Sequence, residues 1–238
     1  MRQQIIIDGH ATENHLRLPG NGGSPHYFKW DEMDEVAQPQ GYPPGLEVFQ
    51  QGALAQSIYF IEEGIVKLVY LDQDGRELIV DLRFPGWVLG LDAVVVQKPY
   101  PVAAITSTKC YLRRIPAKAI RNLLETDARI SGYIHQMHSI EAYEHVAKVA
   151  QLACFSARQR LEQLLWRFIS ALGTNELQNE VRLQLPLKHR EIAQLLAVTP
   201  EHLSRILKQM EHDGVISQQR GWLIISDAQK HCKPTDFY

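Results

Sequence analysis

Between Gln40 and Ala119 apolar and polar residues alternate in short runs, and glycine-containing turns separate the runs. Glu47-Val48-Phe49, Ser57 to Ile61, Ile65 to Tyr70, Glu77 to Leu82, Phe84 to Gly90, Pro101 to Thr106 and Cys110 to Pro116 each read as a strand. About eight strands at this spacing predict an antiparallel barrel or jelly-roll sandwich. The period then changes. From Asp127 to about Leu152 no proline appears, Gly132 is the one glycine, and Ile130, Ile134, Met137, Ile140, Ala147 and Ala150 recur at helical spacing. That predicts one long helix whose apolar face packs on the strands. An adjacent stripe, Ser131, His135, His138, Ala142, His145, Val149 and Leu152, follows a heptad spacing and forms a polar seam.

A second block begins at Phe155. A helix to Leu172 buries Leu161, Leu164, Leu165 and Phe168, Gly173-Thr174-Asn175 ends it, and Val181 to Leu185 reads as a short strand. Lys188 to Leu196 is a short helix with Ile192, Leu195 and Leu196 inward, and Ala197-Val198-Thr199 joins it tightly to the next. Thr199 is a good N-cap and Pro200 suits the first helical position. Leu203, Ile206, Leu207 and Met210 then form the buried stripe, while Glu201, His202, Ser204, Arg205 and Lys208 occupy the outer face. Two helices so arranged describe a helix-turn-helix, whose second helix enters a DNA major groove N-terminus first. Val215-Ile216-Ser217 and Trp222 to Ile225, flanking the tip Gln218-Gln219-Arg220-Gly221, complete a winged version.

Residues 1–39 form an arm whose middle, Pro19 to Pro25, is turn-rich, with Tyr27, Phe28 and Trp30 placed to dock on the strands. Its histidines, His10, His15 and His26, are spaced too irregularly to suggest a metal site. The remaining domains are expected at 40–126 (β-roll), 127–153 (connecting helix) and 154–238 (winged helix-turn-helix).

Composition narrows the function class without deciding it. The 238 residues are 45% hydrophobic and 22% charged, with no apolar run long enough to cross a bilayer and no secretory signal, so a cytoplasmic location is expected. Cys110, Cys154 and Cys232 are too far apart for a disulfide framework or a Cys-x-x-Cys site. From Cys154 onward 11 Lys and Arg stand against 9 Asp and Glu, a balance of +2, and the preceding part carries 14 against 18. So weak a basic excess leaves the case for nucleic acid to the helix pair. No phosphate-cradling glycine loop, nucleophile elbow or His-Glu-x-x-His site is present, which argues against an enzyme.

Phe60-Ile61-x-x-Gly64-x-Val66-x-Leu68, Asp74-Gly75-Arg76-Glu77 and Phe84-Pro85-Gly86-x-x-x-Gly90 resemble the cyclic-nucleotide-binding β-roll of the Crp/Fnr transcription regulators. The resemblance covers roughly residues 40–226 and has both domains in the family's order. It implies an α+β fold: an N-terminal antiparallel β-roll, a long dimerisation helix and a C-terminal winged helix-turn-helix. It also implies a homodimer on double-stranded DNA, with RNA polymerase a further partner if the protein activates, and no membrane partner. Matching Leu152-Ala153 and Arg160-Leu161 to the family's hinge puts His135, His138, Ala142, His145 and Val149 on the dimer axis. There each histidine would face its partner copy, where a proton, metal or haem could bias the pairing.

Glu201-His202-Leu203-Ser204-Arg205 is similar to the Glu-x-x-Ser-Arg signature of the Fnr branch, which implies TTGA-type half-sites in inverted repeat. Arg205 can fork to guanine O6 and N7, Glu201 can accept from a base amine, and Ser204 can touch a thymine. Lys208, His189 and Arg220 would meet phosphates, and Thr199 and His202 complete the DNA-facing set. In the roll the sequence departs from the cyclic-AMP-binding pattern. Aligning Gly90 puts Leu91 at the glutamate and Pro101-Val102 at the Arg-Ser pair, which leaves a buried phosphate without its cation. With no N-terminal cysteine cluster either, neither cyclic AMP nor an iron–sulfur cluster is expected. What remains is an apolar effector pocket of Leu89, Gly90, Leu91, Val94, Tyr100, Pro101, Val102 and the connecting helix, able to hold a small apolar ligand or haem, or packed shut. The alternative function is a haem- or small-molecule-sensing module whose DNA-binding domain is secondary.

Overall fold

A computed structural model describes residues 36–172, 176–177 and 180–226. The readings of the arm aromatics and histidines, of Gly173-Thr174-Asn175 and of Cys232 fall outside the described residues.

Eight strands build the first unit: β1 Gln38–Tyr42, β2 Glu47–Phe49, β3 Ser57–Glu63, β4 Val66–Leu71, β5 Glu77–Arg83, β6 Val88–Leu89, β7 Ala103–Thr106 and β8 Cys110–Pro116. They form two four-stranded sheets, ordered β1-β8-β3-β6 and β2-β7-β4-β5, with every pairing antiparallel. The Asp72–Gly75 turn joins β4 to β5, and one Asp72 carboxylate oxygen accepts the N–H groups of Asp74 and Arg76. β3 explains how the helices attach. Its first five residues are buried, because Tyr59 and Ile61 point into the roll while Ile58 and Phe60 point outward under helices.

Those helices are α1 Leu91–Val95, α2 Ala117–Thr126 and α3 Ala128–Cys154. Asp127 caps α3, its carboxylate accepting from the N–H groups of Arg129 (2.9 Å) and Ile130 (3.4 Å). Ile120 of α2 and Ile130, Ile134 and Met137 of α3 then seal against Ile58, Phe60 and Ile115. Each such side chain contributes about 2 kcal/mol through burial, so the first third of α3 is firmly anchored. Beyond Met137 the same face is only half-buried at Ile140, Ala147 and Ala150.

α3 ends at Cys154, with Phe155 as an extended C-cap, and α4 spans Ala157–Leu172. The fourth helix therefore starts two residues later than its apolar pattern suggests, and Phe155-Ser156 is the linker. β9 Glu176–Leu177, β10 Glu180–Leu183, α5 His189–Leu195, α6 Pro200–His212, β11 Ile216–Gln219 and β12 Trp222–Ser226 complete the second unit, its sheet ordered β9-β10-β12-β11. Leu161, Leu164, Leu165 and Phe168 of α4 pack with Leu203, Ile206 and Met210 of α6 in its core. That core continues into the roll, where the Phe84 ring meets Phe168 edge-on at 5.8 Å. No helix among the described residues is long and apolar enough to cross a membrane.

Candidate nucleic-acid interface and effector pocket

α6 is presented by its cap and its stripe. The Thr199 hydroxyl accepts from the His202 N–H at 3.2 Å, and Pro200 follows it. Leu203, Ile206 and Met210 are buried, which turns Glu201, His202, Arg205 and Lys208 outward; all four are exposed. Among the described residues no hydrogen bond or ion pair joins Glu201 to Arg205. The Glu201 carboxyl instead sits below its usual range because its own backbone N–H and the Thr199 hydroxyl favour the charged form, with Arg205 adding to it. The guanidinium is therefore free for a base. Ser204 is different: its hydroxyl donates to the Pro200 carbonyl at 3.0 Å, leaving only its lone pairs to meet a partner.

The helix before α6 is positioned by one carboxylate. Glu191 accepts the Lys188 N–H at 2.7 Å, closing the first turn of α5, and also meets Lys67 Nζ of β4 at 2.5 Å. His189 stays exposed at the start of α5. Ala197, in the turn between the helices, is left-handed at φ +50°. In the wing Gln219 pairs with Trp222, so the loop is only Arg220-Gly221, both with positive φ. This two-residue turn holds Arg220 at the extreme tip; the sequence suggested a four-residue tip.

In the roll, Leu89, Gly90, Leu91, Tyr100, Pro101 and Val102 do line one cavity, of about 60 Å³. Val94 does not; it is buried under α2 and α3 instead. Tyr100 forms part of the cavity wall, stacked on Phe49 at 3.9 Å with its hydroxyl donating to the Ser57 carbonyl at 2.5 Å. Gly90 is required beside it, since it is left-handed and a Cβ there would stand 2.6 Å from the Tyr100 ring. The wall also carries a cation that the sequence reading does not name. Arg83 of β5 lines the cavity, with Glu141 of α3 and Asp92 of α1. Nothing in the local sequence marks Arg83, because the alternation of β5 alone does not say which strand faces the cavity. Its guanidinium is nonetheless spent: it donates to Asp81 and Glu141 and lies 4.6 Å over the Trp87 ring.

The seam also shifts. His138 turns inward, its side chain 35% exposed and its Nε2 3.3 Å from Asp92 of α1, and His145 approaches Glu141 at 4.0 Å. His138 leaves the outward stripe because Met137 and Glu141 face the roll, while His145 stays exposed, its side chain 57% accessible. What α3 does expose is Tyr143 (56%), Val146 (71%) and Val149 (68%), with His135 and Ala142 on the same side. No group of three metal-ligating side chains occurs among the described residues.

A capped, outward reading helix with a wing, carried on a β-roll by a long helix, defines a DNA-binding transcription regulator with a sensor-type domain. Models of the cyclic nucleotide-binding domain and of the Crp-like helix-turn-helix domain match residues 39–127 and 159–230. The chain belongs to the Crp/Fnr family of transcription regulators. It is 26% identical over 203 residues to the anaerobic regulatory protein of Pasteurella multocida, covering 83% of this chain and 72% of that one. It is 25% identical over 198 residues to the CRP-like cAMP-activated global transcriptional regulator of Mycobacterium tuberculosis, covering 83% and 88%. In fold it is similar to FixK2 of Bradyrhizobium japonicum, with a TM-score of 0.71 at 20% identity over 84% of this chain and 99% of that one.

Proposed function

We propose that this regulator works as a homodimer that reads an inverted repeat of TTGA-like half-sites and does so without cyclic AMP. The observation that carries the reading is the outer face of α6, where an unpaired, exposed Arg205 stands one turn beyond Glu201 at a capped helix N-terminus. Arg205 would fork to guanine, Glu201 would accept from a base amine, and Ser204 would meet a thymine through its oxygen. Lys208, His189 and Arg220 would hold phosphates, with Thr199 fixing the helix end. The second copy would cover Ala142, Tyr143, Val146 and Val149, an apolar stripe too exposed to be left in water along a helix.

Cyclic AMP fits the pocket poorly. Leu91, Pro101 and Val102 offer a phosphate no charge, Arg83 is already held by two carboxylates, and the cavity is far below the roughly 300 Å³ that a drug-sized ligand needs. Haem is larger still. The test is a gel shift with full-length protein on an inverted TTGA repeat and on a scrambled repeat. Retarded dimer on the first alone, unchanged by added cyclic AMP, is the expected result; equal retardation of both would refute the operator assignment.

A further inference from the structure

The two-residue linker Phe155-Ser156 does not by itself orient the DNA-binding domain. One carboxylate does much of that work. Asp81, on β5 and with its side chain 11% exposed, receives three cations from three parts of the chain. Arg83 comes from its own strand, Lys148 from α3 at 3.1 Å and Arg167 from α4 at 3.2 Å. Each cation is anchored a second time. Lys148 also donates to the Val80 carbonyl (2.5 Å), Arg167 to the Leu82 carbonyl (2.9 Å), and Arg83 to Glu141. Burial pushes the Asp81 carboxyl up, but Arg167, Arg83 and Lys148 together outweigh it and keep it ionised. Arg167 further lies 5.0 Å over the Phe84 ring, beside the Phe84–Phe168 contact.

Further along the same hairpin, β4–β5 reaches α5 through Lys67–Glu191 and through Gln194 Nε2 to the Glu77 carbonyl at 3.3 Å. The linker is tied down too, since Arg160 donates to the Phe155 carbonyl (2.7 Å) and to the Leu196 carbonyl that ends α5 (3.1 Å). None of these ties covers the outer face of α6. The domain is held in a position that leaves its reading helix open.

Resting on the dimer reading above, we infer that Asp81, Lys148 and Arg167 are positioning residues that set the half-site separation this regulator accepts. The distance between two recognition helices in a twofold dimer depends on how each DNA-binding domain is turned relative to the pairing helix α3. Asp81 grips both at one point. A dimer so braced favours half-sites about one helical turn apart and rejects those moved along or around the duplex. A loosened one follows the DNA and tolerates the change. Loss of a base contact would weaken binding at every spacing alike.

The experiment compares full-length wild type with Arg167→Gln, whose side chain is one-third exposed and so tolerates replacement. Affinity is measured on inverted TTGA repeats whose centre is lengthened or shortened by one and two base pairs. Hinge access is measured in parallel, without DNA, as the rate of limited proteolysis at Phe155-Ser156. Arg167→Gln is expected to remain dimeric, to shrink the preference for the best spacing by about fivefold and to speed hinge cleavage. Arg167→Lys, which keeps the charge but not the forked geometry, is expected to fall between the two. If the glutamine variant folds poorly, the lysine variant is judged by the same two readouts. An unchanged spacing preference in the variant overturns the inference. Should wild type bind no repeat at all, the operator reading fails, and an unchanged cleavage rate would then separately overturn the brace.

Discussion

Arg205 and Lys208 lie one turn apart on the same helix face, yet they should fail differently. Arg205→Ala is expected to cost about 1–3 kcal/mol of operator binding and to relax selectivity at a single base pair, read by a panel of single-base operator variants. Lys208→Ala should weaken all sequences evenly and flatten the dependence of affinity on salt by about one charge. Both residues were legible in the chain because capping and helical spacing are local rules: Thr199, Pro200 and the Leu203–Met210 stripe suffice to say which way Arg205 points. Arg83 was not legible. A charged residue at the end of a strand reads as solvated, and only the approach of Asp81, Glu141 and Trp87 makes its burial affordable.

Elements show the same division. The helix-turn-helix follows from a tight connection between two amphipathic runs, but its turn holds Ala197 left-handed. An L-residue there costs about 1–2 kcal/mol, partly offset by the entropy glycine would lose on folding. Ala197→Gly should therefore raise stability by about 0.5–1 kcal/mol in denaturant titration with the operator preference unchanged. On α3 the heptad reading located the helix and got its outward face partly right, at His135, Ala142 and Val149. His145 is exposed as well, but His138 turns partly inward toward Asp92, because a heptad count fixes spacing and leaves the helix free to rotate, while docking of Ile130, Ile134 and Met137 on the roll stops the rotation. Val146→Lys, on the exposed side, is expected to shift the protein to monomer in sedimentation and to abolish operator binding with the roll still folded. α1 and α2 went unread, the first too short for a period and the second lying directly after a strand that ends in proline.

Across the whole molecule, the ionic junction has a pH signature. Asp81 releases its proton more readily folded than unfolded, so its contribution is present above the ordinary aspartate value of 3.8 and is lost as acid takes the pH below that. Glu191 has the same sign, since the hydrogen bond from Lys67 outweighs the effect of its burial. Glu144 acts oppositely: burial raises it above 4.5, against the pull of Arg167 and Arg83, so its proton favours the fold and stability declines as pH rises through that window. Melting temperature should thus rise slightly from neutrality toward mild acid and fall below about pH 4. Asp81→Asn should flatten the acid limb, and calorimetry across that range measures both effects.

Local order was written in the chain itself: strand alternation, helical stripes, caps and turn residues are nearest-neighbour matters, and they were enough to place a reading helix behind a β-roll. The folded molecule alone decided which charges meet. Asp81 finds Lys148 and Arg167 at sequence distances that no periodicity reaches, Tyr100 walls the cavity by stacking on Phe49, and docking of α3 on the roll settles which of its sides stays exposed. Those outcomes depend on the packing of separate elements against one another, where a small rotation changes every partner.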